Sequence, residues 1–402
     1  MFNFVRYFVF LSGLWHHIFM TRLTSTRLAD GRELIYFDDP GSPERDPGSL
    51  VDHRDLPPRA DPGELRYDAL SGEWVAVAAH RQSRTHLPPA DQCPICPTTP
   101  ANPSEIPAPD YDVVVFENRF PSLGPAVGST PDAPAWGTSG PAFGRCEVVS
   151  FTPKHTGSFA ELGETRARTV IEAWAQRTEA LSALPGVRQV FPFENRGAEI
   201  GVTLHHPHGQ IYAYPYVTPR AASLGAEAGK HFDDSRGRES LTSSILKAEL
   251  QDGRRMVLEA EHFSAYVPFA ARWPLEVHLV PHRQVPDLAA LTGAERDELA
   301  HVYLDLLKRL DALYPTPTPY ISAWHQAPLD PALRESGHLH LQLTSPRRAA
   351  DKLKYLAGSE AAMGAFINDT TPESVAARLR SVAGASTRAG KTTTGIPEGA
   401  SA

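Results

Sequence analysis

The segment His206-Pro207-His208-Gly209-Gln210 gathers side chains suited to phosphoryl chemistry. A neutral imidazole can attack phosphorus and leave again from a phosphoramidate. It needs its second ring nitrogen held by a hydrogen bond, which fixes the tautomer. It also needs a donor for the phosphoryl oxygens, where charge is held through the transfer. In an extended chain His206, His208 and Gln210 share one face. Gln210 can then donate to a phosphoryl oxygen without competing as a base. The plainer reading is a pair of buried structural histidines beside a turn. Pro207 and Gly209 speak against it, because both are poor strand-interior residues and leave the backbone open to a ligand.

Cys93-Pro94-Ile95-Cys96 has the spacing of half a tetrahedral metal site. A redox pair is the alternative, but it usually opens a helix in a thioredoxin-like unit. Here Pro97 follows in a loop-like context, which favours metal. Two more ligands are needed, and His155, after a predicted strand, and His206 are the candidates. With His206 as a ligand, the metal would position His208 without touching substrate. Cys146 stands alone. Three cysteines cannot make a disulfide framework, so the chain reads as reduced and cytoplasmic.

The elements that must position these residues occur twice. The first set has extended runs at 113–117 and 146–152, a helix near 164–184 and a strand at 189–193. Val170, Trp174, Leu181 and Leu184 lie on one face of that helix, and Pro185-Gly186 stops it. A loop then leads to His206. The second set has strands at 263–269 and 275–280 and a helix from 292 to about 313. Thr292 and Glu295 form a capping box there, and Pro315 ends the helix. A strand at 320–324 and a loop lead to His338-Leu339-His340-Leu341-Gln342. Both sets end in H-x-H-x-Q, so the pattern predicts a duplicated α+β unit of about 120–150 residues.

The 402 residues, 41% of them hydrophobic, are enough for a sizeable core. A net charge of −8 argues against coating nucleic acid or an anionic membrane, while leaving room for an anionic small ligand met by local cations. Residues 1–19 are apolar and aromatic but lack an A-x-A cleavage site, and His16 and His17 interrupt the run. Met20 is therefore read as the initiator, with a membrane-associated leader as the alternative. No later run approaches the length of a membrane span. Residues 38–63 read as a long loop.

The ordered motifs together resemble the galactose-1-phosphate uridylyltransferase family, two fused domains of the histidine-triad superfamily. They include Ser71-Gly72-Glu73-Trp74, His80-Arg81-Gln82-Ser83-Arg84, the CxxC and Phe116-Glu117-Asn118-Arg119-Phe120. They continue with Pro153-Lys154-His155, Phe193-Glu194-Asn195-Arg196-Gly197, HPHGQ, Trp324-His325, the second H-x-H-x-Q and Lys354-Tyr355-Leu356-Ala357-Gly358-Ser359-Glu360. The resemblance runs from about 66 to 382. It implies an α+β fold of two tandem histidine-triad-like domains, each an antiparallel sheet with a packed helix. The expected divisions are an extension and loop at 20–64, a catalytic zinc-binding domain at 65–222, a second domain at 223–382 and a disordered tail at 383–402.

The resemblance also implies a ping-pong transfer of UMP from UDP-glucose to galactose 1-phosphate through a covalent adduct on His208. Gln210 matches the family's phosphate-binding glutamine. Cys93, Cys96, His155 and His206 match its zinc ligands, and Arg81 and Arg84 its phosphate-binding arginines, where two cations can clamp a diphosphate. Asn118 and Asn195 match nucleotide-binding positions. Lys354 and Glu360 match the loop that meets the sugar from the partner subunit, which implies a homodimer. Neither nucleic acid nor membrane is an expected partner.

Three positions depart from the pattern. Arg119 replaces an acid that could hold a ribose, and Ser359 stands where an aromatic is common. At the place of a second, iron site, Leu224 and Gln342 replace a glutamate and a histidine. No second metal is expected, and His325 and His340 are assigned structural roles, with His338 a core or loop histidine. Two other readings stay open. One is a sister nucleotidylyltransferase or phosphorylase using ADP-sugars or dinucleoside polyphosphates. The other is a non-catalytic zinc- and nucleotide-binding protein.

Overall fold

The structure, a computed structural model, describes residues 21–57, 63–83, 87–125 and 133–383. The leader at 1–19, Met20, Arg84 and the tail beyond 383 lie outside the described residues.

An unforeseen hairpin comes first. β1 (Arg22–Arg27) and β2 (Glu33–Asp38) flank Asp30-Gly31, and Gly31 takes φ +83, which a residue with a side chain adopts poorly. The Asp-Gly pair before a Leu-Ile-Tyr-Phe run was a legible hairpin signal within the segment read as extension and loop. Next come β3 (Glu64–Asp68), β4 (Glu73–Val77), β5 (Val113–Glu117), β6 (Thr138–Pro141) and β7 (Arg145–Ser150). β3, β4 and β6 form a small separate sheet. Helix α1 (Glu164–Ser182) ends ahead of Pro185-Gly186, and β8 (Gln189–Arg196) and β9 (His208–Tyr214) complete the first repeat.

α2 (Pro219–Asp234) and α3 (Leu241–Asp252) lead into the second repeat. Its strands are β10 (Met256–Glu259), β11 (Phe263–Tyr266) and β12 (Leu275–Pro281). Helix α4 (Gly293–Ala312) carries the expected capping box: Thr292 accepts from the Glu295 amide, and the Glu295 carboxylate accepts from the Thr292 amide. β13 (Tyr320–His325), α5 (Pro331–Ser336) and β14 (His340–Ser345) follow. A short ribbon of β15 (Arg347–Ala349) and β16 (Lys352–Leu353), then α6 (Pro372–Ser381), close the described chain.

Among the described residues, 11 strands form one antiparallel sheet in the order β1-β2-β5-β7-β9-β8-β13-β14-β12-β11-β10. The repeats meet where β8 pairs with β13, and the order reads alike outward from that seam. β9 corresponds to β14, β7 to β12 and β5 to β11. The two repeats thus share a single sheet, and neither has a free edge at the junction.

α1 and α4 pack together on one face. The fully buried Trp174, Phe159, Tyr303 and Trp324 form an aromatic centre there, with Phe159 and Trp174 stacked at 5.7 Å. The opposite, front face is covered in sections. The CxxC loop packs Cys93 and Ile95 over Tyr36, Val114 and Phe116. The small sheet sets Leu65 and Trp74 against Cys146, Tyr212 and Tyr214. Among the described residues, no helix is long and apolar enough to cross a membrane.

Candidate active site and metal centre

Strand register assembles the front face. Ser150 pairs with His208, Val148 with Gln210 and Cys146 with Tyr212. On the other side Phe193 pairs with Gln210, and two residues further on Asn195 comes level with His208. Directly paired residues share a face, so His208, Gln210 and Asn195 converge on one patch. Their half-buried functional ends make no hydrogen bond with the protein among the described residues, apart from Nδ1 of His208. Unpartnered polar groups brought together at partial depth suit an external polar ligand.

His208 Nδ1 donates to the His206 carbonyl at 2.7 Å. Nε2 therefore keeps its lone pair and is the atom free to react. Burial pushes the His208 imidazole below its ordinary value, which keeps it neutral at physiological pH.

His206 lies just before β9, on the side of Ser150, whose hydroxyl is 3.3 Å from its Nε2. Its ring turns into the metal group. His206 Nδ1 is 3.7 Å from Cys93 Sγ and 3.4 Å from Cys96 Sγ, and His155 Nδ1 is 3.5 Å from Cys96 Sγ. All four donor atoms lie within 4.8 Å of one another. A tetrahedral zinc with ordinary Zn–S and Zn–N lengths requires S···N edges of about 3.6 Å, so these donors fit. His206 Nε2 donates to the Thr152 carbonyl at 2.7 Å, which fixes the tautomer that presents Nδ1. Tyr111 also approaches His206 Nε2, at 3.2 Å, and bonds Ser150 at 2.8 Å. Sequence reasoning missed this buried phenol, since nothing local marks it. Burial pushes His206 down to about 4 and, with the Cys93 thiol, pushes Cys96 up to about 12.

Gly209 has a packing role that its sequence context does not reveal. It faces the helices, where a Cβ would come 2.8 Å from Phe151 Cζ and 3.0 Å from the Phe193 carbonyl oxygen. Core packing behind the strand requires the glycine.

Arg81 Nη1 donates to the Phe120 carbonyl at 3.1 Å, and its positive charge acts on the Tyr212 phenol, whose pKa burial raises. This places the cation at the end of the row that carries His208 and Gln210, beside an open cleft of about 740 Å³. Asn118 caps the turn after β5, its side chain accepting from the Phe120 amide at 2.8 Å. Arg119 lies 3.8 Å from Glu105, a carboxylate that also receives Arg32 and Arg54.

Lys354 and Glu360 pair with each other at 2.7 Å. Among the described residues, no hydrogen bond or ion pair joins them to His208, Gln210 or Asn195. Beside them Tyr355 and Met363 are 75% and 79% exposed.

In the second repeat His340 stands where His208 stands in the first, with Nδ1 donating to the His338 carbonyl at 3.2 Å. The space before it is filled from within. His325 stacks on His340 at 4.9 Å, and its Nε2 donates to Gln342 at 3.0 Å. Gln342 in turn donates to Glu276 at 2.7 Å. Burial pushes His325 down to about 4, so neutral rings stack without repulsion. His338 is buried between Ser240 and the Pro281 carbonyl, and Leu224 lies on α2. Among the described residues one further group of metal-ligating types meets, at Glu261, His262 and Glu298. There Glu298 accepts from the amides of residues 261–263, as a turn anchor.

Residues 60–218 match the family profile described as galactose-1-phosphate uridyl transferase, N-terminal domain, and residues 227–390 match its C-terminal domain. The chain is 48% identical over 375 residues to the galactose-1-phosphate uridylyltransferase of Streptomyces lividans, covering 90% of this chain and 98% of that one. It is 37% identical over 323 residues to the enzyme of that name from Thermotoga maritima, covering 79% and 98%. A solved structure described as that of uridylyltransferase is similar with a TM-score of 0.70 at 32% identity, over 81% of this chain and 100% of that one.

Proposed function

Because the chain belongs to the galactose-1-phosphate uridylyltransferase family, a family of nucleotidyltransferases, we propose that His208 carries UMP between UDP-glucose and galactose 1-phosphate. The observation that carries this reading is the patch on the front face. A nitrogen with a fixed lone pair shares one sheet face with two amides that have no partner among the described residues, with an arginine at the end of the row. His208 Nε2 attacks the α-phosphorus of UDP-glucose. The N–P bond forms as the bond to the bridging oxygen breaks, and that electron pair leaves with glucose 1-phosphate. A phosphate oxygen of galactose 1-phosphate then attacks the same phosphorus, returning the electron pair to Nε2 and releasing UDP-galactose.

The Gln210 amide donates to a non-bridging phosphoryl oxygen. The His206 carbonyl, already bonded to Nδ1–H, stabilises the positive charge on the ring while UMP is attached. Arg81, with Arg84, holds the diphosphate, and Asn118 and Asn195 hold the nucleotide. In a homodimer Lys354 and Glu360 would turn from each other to the partner's sugar. Cys93, Cys96, His155 and His206 would hold zinc as a structural ion, fixing the residue whose carbonyl orients His208. The absence of disulfides among the cysteines suits a cytoplasmic setting.

Incubation with UDP-glucose, then separately with ADP-glucose, followed by intact-protein mass, tests the reading. A UMP adduct that His208→Asn abolishes is the expected result. An AMP adduct in its place would assign the chain to ADP-sugars, and no adduct from either would sink the catalytic reading.

A further inference from the structure

Directly behind the site, on the helix side of β8, lies Glu194, 4% exposed. Its neighbours along the strand alternate, so Asn195 faces His208 while Glu194 and Arg196 face the helices. The groups that meet Glu194 come from the second repeat. The Tyr320 hydroxyl donates to Glu194 Oε1 at 3.0 Å, from β13. The Tyr303 hydroxyl, from α4, lies 3.5 Å from Oε2 and bonds Ser322 of β13 at 2.7 Å. Two residues along, Arg196 pairs with Asp311 of α4 at 2.6 Å, its guanidinium over the Tyr320 ring.

We propose that Glu194 is a positioning residue for the transfer reaction, through which the second repeat fixes the height and twist of β8 and so the place of Asn195 beside His208. This rests on the functional reading above. It gives the second repeat a part in the first repeat's chemistry, although its own copy of the site is filled by stacked histidines. A buried carboxylate bonded by two tyrosines has few alternative arrangements, so it holds the strand more tightly than apolar packing alone. Small displacements at a reacting centre are costly, with about 1 Å worth about a hundred-fold in rate.

Glu194→Gln and Tyr320→Phe, made in the full chain, test the proposal. One readout is the ¹⁵N signal of the His208 imidazole, assigned by its loss in His208→Asn. The other is steady-state kinetics with UDP-glucose. Both variants should shift the His208 signal and lower kcat about ten-fold, with KM within about two-fold. Unmoved signals and unchanged kcat in both variants would overturn the proposal. If Glu194→Gln does not fold, Tyr320→Phe, which keeps the carboxylate, decides by the same two readouts. A wild type that transfers no UMP, together with shifted His208 signals in the variants, would refute the functional reading and still support the coupling between repeats.

Discussion

Replacing Gly209 by alanine sets a methyl carbon 2.8 Å from Phe151 Cζ and 3.0 Å from the Phe193 carbonyl oxygen. Carbon atoms pack best at about 3.5–4.0 Å, so roughly 0.7 Å must be relieved. Phe151 cannot retreat, because it is fully buried with Phe159 at 5.1 Å and Trp174 at 6.2 Å. The Phe193 oxygen belongs to the neighbouring strand. β9 must therefore move toward the front face and carry His208 with it. Overpacking of this kind costs about 1–3 kcal/mol, against a gain of under 1 kcal/mol from the lower backbone entropy of alanine. Gly209→Ala should thus lower the unfolding free energy by a net of about 1–2 kcal/mol, read as a lower urea midpoint. It should also slow formation of the UMP adduct, measured in a single turnover by quenched mass spectrometry, by ten-fold or more. A second change, Phe151→Leu, opens space behind the strand. The double variant should be less destabilised than the two single costs combined. Stability and adduct rate equal to wild type in Gly209→Ala would refute the assignment of this glycine to core packing.

Two other outcomes follow from the buried groups. Burial raises Glu194 from 4.5 to about 7, so the folded state holds a proton that the unfolded state has lost across that interval. Stability from this group is whole below pH 4.5 and falls as pH rises through 7, by about 3 kcal/mol in all. Urea unfolding from pH 4.5 to 8 should show this fall in wild type relative to Glu194→Gln, and parallel curves would refute it. At the metal group, chelation or Cys93→Ser should lower Tm more than it lowers the intrinsic rate. Because Cys96 holds its proton up to about 12 without metal, zinc binding should release protons in a weakly buffered titration. An unchanged melting curve in metal-free protein would refute the four-ligand site.

The sequence alone carried the repeat, because helix and strand periods and their stop signals are local. α1 ends ahead of Pro185-Gly186, α4 starts at its capping box, and β5 opens on three valines. It also carried the ligand types and the pair His208 and Gln210, since alternation along a strand is a two-residue property. The folded chain decided what depends on neighbours distant in sequence. Pairing between β8 and β13 fused two expected sheets into one, and register across three strands brought Asn195 and Ser150 level with His208. Local alternation placed His206 on the strand face, but only the fold brings Cys93 and Cys96, more than 100 residues away, to its Nδ1. The packing demand on Gly209 shows only with the Phe151 ring behind it, and Glu194 was one letter of a motif until Tyr303 and Tyr320 closed over it. Side-chain type and spacing are written along the chain, whereas burial and partnership arise only when distant segments exclude water together.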